Sequence, residues 1–205
     1  MCGICGKLTP ELICQKCKIK LKNYEIFNIE DYSKTSSFFD EHIYMLWYSG
    51  EIRKAILNYK FNDKSYIYET FVNILKNNEK ICKKISSYDI MIPIPISKKR
   101  FKQRGYNQSS IFAKKVANIL KIKYLDKAIL KIKNNQPQSV LNQEERIENV
   151  QNVYKINEKY IPMLNNKKIL LIDDIFTTGS TANECSKILK QIEAKEIGIF
   201  TIAKD

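Results

Sequence analysis

Residues 169–185 read ILLIDDIFTTGSTANEC, and this stretch decides the fold of the second half of the chain. Its apolar start predicts a buried strand over residues 168–172, and apolar residues at helical spacing predict a helix over 181–192. Asp173 and Asp174 stand between the two elements and are followed by a turn of threonine, glycine and serine. A strand that passes through a short turn into a helix is typical of an α/β fold.

The turn after the two acids has the chemistry of a sugar-phosphate site. Neighbouring carboxylates repel each other and resist burial, so they are tolerated where they face solvent or a ligand. A glycine-containing turn at a helix N-terminus offers N–H groups to an anion. The residues that would form this phosphate cradle are Thr177, Thr178, Gly179, Ser180 and Thr181. The alternative is a solvated acidic strand end before a helix capped by a Thr181–Glu184 capping box.

A second candidate segment, residues 92–108, reads IPIPISKKRFKQRGYNQ. Prolines stop a short buried strand at 90–94, and polar and basic residues follow. These residues are Ser97, Lys98, Lys99, Arg100, Lys102 and Arg104. They suit a pyrophosphate or a nucleic-acid backbone, although a solvated basic helix face is the alternative. Because ligands bind beyond the carboxyl ends of parallel strands, we expect both segments at one edge of the sheet.

Two CxxC pairs open the chain, and their four thiols suit tetrahedral zinc. The ligands would be Cys2, Cys5, Cys14 and Cys17. Disulfides or a redox CxxC are the alternatives, and a reducing compartment argues against stable disulfides. We therefore predict a structural zinc module over residues 1–23 and a second domain over 24–205. Cys82 and Cys185 lie in helical apolar patterns and are predicted to be core residues.

The composition allows one sizeable domain and a small accessory module. The 205 residues carry a formal net charge of +13, which invites a nucleic-acid partner, although a lysine-rich composition bias explains the excess equally well. Only four of the 35 basic residues are arginines, namely Arg53, Arg100, Arg104 and Arg146. No apolar run reaches the length of a membrane span, and no signal-peptide pattern begins the chain. We therefore expect a cytoplasmic protein without membrane insertion.

The remaining segments predict alternating elements. We expect a loop over 24–40, strands over 42–48, 127–133 and 196–203, and helices over 51–59, 65–77 and 108–120. Residues 134–152 are polar and predicted to form a mobile segment. Strands that alternate with helices predict an α/β fold with a mainly parallel sheet flanked by helices.

ILLIDDIFTTGST resembles the motif with which type I phosphoribosyltransferases bind phosphoribosyl pyrophosphate (PRPP). The resemblance implies that Asp173 and Asp174 contact the ribose hydroxyls and that the turn from Thr177 to Thr181 binds the 5′-phosphate, with Mg²⁺ accompanying PRPP. Enzymes that salvage 6-oxopurines carry an aspartate base where this chain has Thr177. The motif is therefore closer to the orotate type.

Three blocks in the same order resemble the ComF family of competence proteins: the cysteine pairs, PIPISKKRFKQRGYNQ and the PRPP motif. The resemblance implies binding of single-stranded DNA during natural transformation, with Lys99, Lys102 and Arg104 as candidate contacts and a DNA helicase among possible partners. It also implies PRPP contacts by Ser97, Lys98 and Arg100. Two alternatives stay open. One is an active amido- or orotate-type phosphoribosyltransferase with Arg146 in a closing loop. The other is a site that senses a nucleotide and tunes DNA binding.

Overall fold

The computed structural model describes residues 1–61, 64–133 and 152–205. The helices are α1 (Gln15–Leu21), α2 (Gly50–Phe61), α3 (Ile67–Lys76), α4 (Glu79–Ile85), α5 (Lys98–Arg104), α6 (Gln108–Leu120), α7 (Ile161–Leu164) and α8 (Ser180–Lys190), with a 3₁₀ turn at Glu158–Tyr160. The strands are β1 (Glu25–Asp31), β2 (Glu41–Trp47), β3 (Ile90–Pro93), β4 (Lys123–Tyr124), β5 (Ile129–Lys131), β6 (Tyr154–Ile156), β7 (Lys168–Phe176) and β8 (Glu196–Lys204).

A six-stranded sheet forms the centre of the molecule, in the order β1-β2-β8-β7-β3-β4. All neighbouring pairs are parallel except β1 with β2, so the predicted mainly parallel sheet is confirmed. β3 pairs with β7 from Ile90↔Ile169 to Pro93↔Ile172. Their carboxyl ends therefore lie side by side, as predicted. A separate antiparallel pair, β5 with β6, brings Lys131 opposite Tyr154.

Apolar clusters cover both faces of the sheet, because successive side chains of a strand point to opposite faces. In β7, Leu170 and Ile172 join the cluster that includes α2, α3 and α6, whereas Ile169 and Leu171 join the cluster that includes α8. Runs of apolar residues without alternation are expected for parallel strands that are buried on both faces. This packing fixes the strand ends that carry the candidate site.

The N-terminal residues pack into the main body of the protein. Cys2, Ile4, Ile13, Cys17 and Leu21 belong to the same apolar cluster as the buried face of α3. A Cβ atom added to Gly3 would lie 2.0 Å from Thr70 Oγ1, so the backbone approaches α3 as closely as only glycine allows. The boundary at residue 23 stays a prediction.

The structure corrects two predicted elements. The loop predicted over 24–40 is wrong in part, because β1 occupies Glu25–Asp31. β1 is an edge strand of mixed exposure, so its side chains lack the clean alternation that indicates a strand. The strand predicted over 168–172 continues to Phe176, since its backbone keeps pairing with β8 through Asp173↔Thr201 and beyond.

The polar segment over 134–152 was predicted to be mobile. Its residues 134–151 lie outside the part of the chain that the structure describes. In the parts of the chain that the structure does describe, no helix combines the length and the apolarity needed to cross a membrane.

Candidate functional site

The two acids of β7 are held by specific partners. Asp174 Oδ1 lies 2.9 Å from Lys60 Nζ at the end of α2, and the two side chains are only 10% and 18% exposed. Asp173 Oδ1 accepts a hydrogen bond from Ser109 Oγ at 3.0 Å and one from the Asp174 N–H at 2.9 Å. The acids therefore lie inside the strand and are compensated there, rather than ending it in open solvent.

Burial and neighbouring charges strongly affect the protonation of Asp173. Burial raises the pKa of Asp173 to about 7, the negative charge of Asp174 adds to the shift, and Lys60 opposes it. Asp173 therefore changes its charge near neutral pH. When ionised, it is an acceptor that a donor such as a sugar hydroxyl stabilises.

The turn after β7 is built around Gly179. Gly179 has φ 72°, and a Cβ there would lie 2.5 Å from the ring of Phe176. Gly179 is also the N-cap of α8, which begins at Ser180 and has no side-chain cap. The predicted capping box over Thr181–Glu184 is therefore wrong, because the helix starts before Thr181. Because the N-cap glycine has no side chain to accept from the first-turn N–H groups, this helix start is suited to an anion.

Hydroxyl groups line the same turn. Thr178 Oγ1 and Ser180 Oγ lie 2.6 Å apart, and the Ser180 N–H points to Thr178 Oγ1 at 3.4 Å. A small pocket opens between this turn and the end of the sheet, with Asp173 and Thr201 among its lining residues. The structure therefore brings one acid and the whole predicted phosphate cradle to a single pocket.

An aromatic layer supports the turn from behind. His42 of β2 stacks on Phe176 with 3.9 Å between ring centroids, and its Nε2 lies 2.9 Å from Thr201 Oγ1. Burial lowers the pKa of His42 to about 3, so the ring stays neutral. His42 was predicted only as a strand residue, because a single histidine among aromatics carries no signal of its place in three dimensions.

The basic segment after β3 begins the helix α5. Ser97 is its N-cap, and its Oγ accepts from the Arg100 N–H at 3.2 Å. Lys98, Lys99 and Lys102 are exposed, and Arg100 is partly buried. Because β3 is the neighbour of β7, this basic group lies at the sheet edge that carries the acids and the turn.

Comparison with known proteins identifies the fold and the family. The profile of the phosphoribosyl transferase domain matches residues 107–205. Competence protein F of Haemophilus influenzae is 25% identical over 210 residues, which cover 100% of this chain and 90% of that protein. Competence protein ComFC of Streptococcus pneumoniae is 27% identical over 203 residues, which cover 99% and 80%. The chain belongs to the ComF family.

A third relative differs in its coverage. DNA utilization protein YhgH of Escherichia coli is 23% identical over 116 residues, which cover 57% of this ComF-family chain and 49% of that protein. The phosphoribosyltransferase fold inferred from the PRPP motif is therefore confirmed, together with the family inferred from the three sequence blocks.

The four N-terminal cysteines meet in one place in the ComF-family chain. Their Sγ atoms all lie within 4.8 Å of one another, and those of Cys5 and Cys14 are 3.8 Å apart. Zinc–sulfur bonds of about 2.3 Å in a tetrahedron put sulfurs about 3.8 Å apart, so the donor set fits zinc. Such a site of four thiolates has no open position for catalysis.

The thiols differ in their protonation. Burial would raise the pKa of Cys2, but hydrogen bonds from the backbone N–H groups of Cys5, Cys14 and Ile4 lower it to about 6. Burial and the neighbouring thiols raise the pKa of Cys17. The Cys2 thiolate is therefore readily formed, and a bound cation would favour the ionised form of Cys17. Of the two predicted core cysteines, Cys185 is fully buried and Cys82 is partly buried.

Several residues of the site carried no clear signal in the sequence. Lys60 and Ser109 hold the two acids, yet both come from distant segments. Arg104 was predicted to contact nucleic acid, but it bonds Gln108 Oε1 at 2.9 Å and lies over the ring of Phe61. Arg146, the candidate catalytic residue, lies outside the described residues.

Proposed function

We propose that this ComF-family protein binds PRPP at the β7–α8 turn and single-stranded DNA on the adjoining basic surface. The observation that carries the proposal is the closeness of Asp173 to the turn from Thr177 to Thr181, which together line one small pocket, with the basic helix α5 at the same sheet edge. Acids and a phosphate cradle in this order match the two ends of a ribose 5-phosphate.

The roles of the residues follow from their chemistry. Asp173 and Asp174 accept hydrogen bonds from the ribose hydroxyls. The hydroxyls and N–H groups of the turn bind the 5′-phosphate. The pyrophosphate is assigned to the start of α5, and its proposed contacts are Ser97, Lys98 and Arg100. Mg²⁺ would neutralise the pyrophosphate when bound, because it prefers phosphate and carboxylate oxygens.

The DNA part of the proposal rests on charge and on the relatives. Two of the relatives are named competence proteins and a third a DNA utilization protein. Lys99 and Lys102 project from α5 into solvent, where they can contact a phosphate backbone. Arg104 contributes to the same positive surface from its place above Phe61. A role in natural transformation is proposed from the names of the competence relatives, and a DNA helicase is the protein partner that the family resemblance implies.

Calorimetric titration with PRPP and Mg²⁺ tests the ligand. Asp174→Asn should weaken binding at least about tenfold, because one charge-assisted hydrogen bond is worth about 1.5–3 kcal/mol. Asp89→Asn is the matched control, since Asp89 immediately precedes β3, at the opposite edge of the sheet. Equal affinity of all three proteins would remove the proposed role of the acids.

Fluorescence anisotropy with a labelled oligonucleotide tests the DNA partner. We expect binding of single-stranded DNA that weakens steeply as the salt concentration rises. A Lys99→Gln/Lys102→Gln double variant should bind more weakly and depend less on salt. Absence of any anisotropy change at low salt would contradict DNA binding.

Phosphoribosyl transfer is the second candidate function, and the domain match over residues 107–205 favours it. Such an enzyme needs no covalent intermediate, because the site stabilises a developing positive charge on the ribose. The measurement is release of pyrophosphate from PRPP in the presence of candidate bases or amines. Release that is abolished in Asp174→Asn would establish an enzyme, whereas binding without release would leave a ligand-binding protein.

Structural zinc at the four-cysteine cluster completes the proposal. Native mass spectrometry should find one zinc ion per chain, and Cys17→Ser should lose it. Because Cys17 packs in the same cluster as α3, we expect metal removal to lower the melting temperature of the whole protein. A protein that keeps its melting temperature in a strong chelator would contradict a structural role.

A further inference from the structure

A large cleft lies beside the candidate PRPP site. It encloses about 830 Å³ between the β3–α5 connection, the region around the start of α6, and β5. Sites that hold small ligands have volumes of about 300–1,000 Å³, so the cleft has room for a short stretch of a single strand. It continues the sheet edge at which β3 ends, because Pro95 and Ile96 form part of its wall.

The charge of the cleft is strongly positive. Four lysines line it, and one acid, Asp126, stands among the described lining residues. The four are Lys98, Lys127, Lys131 and Lys133. Asp126 accepts hydrogen bonds from Ser110 Oγ and Tyr124 Oη, each at 2.6 Å, so these donors already compensate part of its negative charge. The balance of charge favours an anionic occupant.

Lys131 extends this charge into the protein. Its Nζ lies 3.3 Å from Tyr154 Oη and 5.2 Å from the centre of that ring. Burial and the neighbouring charge of Arg100 lower its pKa to about 8. Because an anion nearby would stabilise the charged form, the inner end of the cleft is suited to a phosphate.

Aromatic and apolar side chains lie between the cations. The ring of Phe101 is 51% exposed at the rim of the cleft, although phenylalanine is usually buried. Tyr106 lines the same wall, and Ile132 is 51% exposed beside Lys131 and Lys133. Alternation of cations with an exposed ring is the arrangement by which proteins hold single strands, whose bases stack on aromatic faces.

We propose that this cleft is the track of the single strand, with Phe101 as the platform for a base and the four lysines as contacts to the phosphates. The inference rests on the DNA binding proposed above and extends its contact surface from the exposed lysines of α5 into the cleft. It also separates two sides of α5, since Lys98 and Phe101 line the cleft whereas Lys99, Lys102 and Arg104 do not. The same cleft then places the strand next to the PRPP site.

Anisotropy titrations with fluorescein-labelled oligo(dT) over a series of salt concentrations test the track. Phe101→Ala should weaken binding about 5- to 100-fold without changing the salt dependence, because stacking involves no counterion release. Lys127→Gln/Lys133→Gln should reduce the slope of log affinity against log salt by about 1.4, since each lost phosphate contact accounts for about 0.7.

Two matched controls lie away from the cleft. Phe38→Ala removes an exposed ring over which the Lys187 ammonium lies, and Lys167→Gln/Lys195→Gln removes two charges next to the amino ends of β7 and β8. Both controls should bind oligo(dT) as the unchanged protein does. A hairpin duplex should bind more weakly than oligo(dT), and Phe101→Ala should not alter its affinity, because paired bases are not free to stack.

The outcomes separate this inference from the function on which it rests. If the unchanged protein binds oligo(dT) and the cleft variants bind as tightly as the controls, the track is wrong while DNA binding stands. If only Lys99→Gln/Lys102→Gln weakens binding, the strand lies on the other side of α5, and the track is again wrong. If no protein binds oligo(dT), DNA binding and its track fall together.

Discussion

The carboxyl ends of β3 and β7 are neighbours in the sheet, but exposed cations follow β3 whereas enclosed acids lie in β7. After β3 the cations stand in solvent, and the helix α5 is capped by the side chain of Ser97. At the end of β7 the acids are enclosed and paired with Lys60 and Ser109, and the helix α8 has no side-chain cap. The helix start after β3 is therefore capped by a side chain of its own N-cap residue, whereas the helix start after β7 has a glycine N-cap and is suited to an anion.

This difference explains how one edge of the sheet can bind a ligand that carries both phosphates and hydroxyl groups. Exposed lysines attract phosphates at long range at little cost in stability. Enclosed acids need compensation from the fold, and this rigid setting fixes their oxygens for hydroxyl groups. Each variant changes a residue at one of these two strand ends and is compared with a matched change elsewhere.

The largest effect is expected from the partner of Asp174. Lys60→Met leaves a carboxylate enclosed without its cation, which should lower the free energy of unfolding by about 4 kcal/mol. Lys18→Met is the control, because the Lys18–Glu11 pair has the same 2.9 Å separation but both side chains are nearly half exposed. Urea denaturation measures both. Equal destabilisation would show that enclosure of the pair contributes nothing.

The second effect is a dependence on pH. Between about pH 4 and pH 7 the unfolded chain has released the proton of Asp173, but the folded chain retains it, since its pKa is raised to about 7. The folded state then binds more protons, so the free energy of unfolding falls as the pH rises. Asp173→Asn cannot titrate. Its stability relative to the unchanged protein should therefore rise by on the order of 4 kcal/mol across this window and level off above it.

Denaturation curves at several pH values test whether the free energy of unfolding falls as the pH rises through this window. Asp174, Lys60 and Ser109 face Asp173, so the same series on Lys60→Met should extend the upper end of the window to higher pH, because the cation that lowers the folded-state pKa is gone. A stability difference between Asp173→Asn and the unchanged protein that is constant with pH would contradict the raised pKa.

Two glycines with the same backbone conformation give the third comparison. Gly179 has φ 72° and Gly105, at the end of α5, has φ 73°. A Cβ at Gly179 meets Phe176 at 2.5 Å, whereas nothing lies within 4 Å at Gly105. Gly179→Ala should therefore cost about 2–3 kcal/mol, and Gly105→Ala about 1 kcal/mol.

Thermal unfolding and PRPP titration test the glycine pair together. Gly179→Ala should also lose PRPP affinity, because the turn must shift away from Phe176, and Gly105→Ala should keep it. If the two variants are equally stable, the close approach of the turn to Phe176 is not a constraint.

The smallest effect belongs to the cap of α5. Ser97→Ala removes the acceptor of the Arg100 N–H and should cost about 1 kcal/mol. Ser87→Ala, which removes an exposed hydroxyl that donates to the Lys84 carbonyl, should change stability by less than about 0.5 kcal/mol. Chemical denaturation separates them, and a neutral Ser97→Ala would mean that the helix start does not depend on its cap.

The parts of the fold that depend on local sequence patterns could be predicted from the sequence. The apolar run, the two acids and the glycine turn come together within 17 residues, so the strand–turn–helix unit and its place at a strand end could be predicted. The shared edge with the basic segment followed from the parallel connection of strands. The strand boundary was wrong because backbone pairing with β8 continues past the apolar run that ends at Ile172.

The partners of the acids could not be predicted in the same way. Lys60 ends a helix and Ser109 begins one, and each resembles many other residues of its type in this chain. Only the packing of α2 and α6 beside β7 brings them to the carboxylates. The edge strand β1 was missed because its exposed polar residues hide the alternation.

A crystal structure of the protein with PRPP and Mg²⁺ tests the central claim most directly. The account predicts the 5′-phosphate in the turn from Thr177 to Thr181, the ribose hydroxyls on Asp173 and Asp174, and the pyrophosphate toward the start of α5. Electron density for PRPP at another surface, with the turn empty and Lys60 still paired to Asp174, would contradict it.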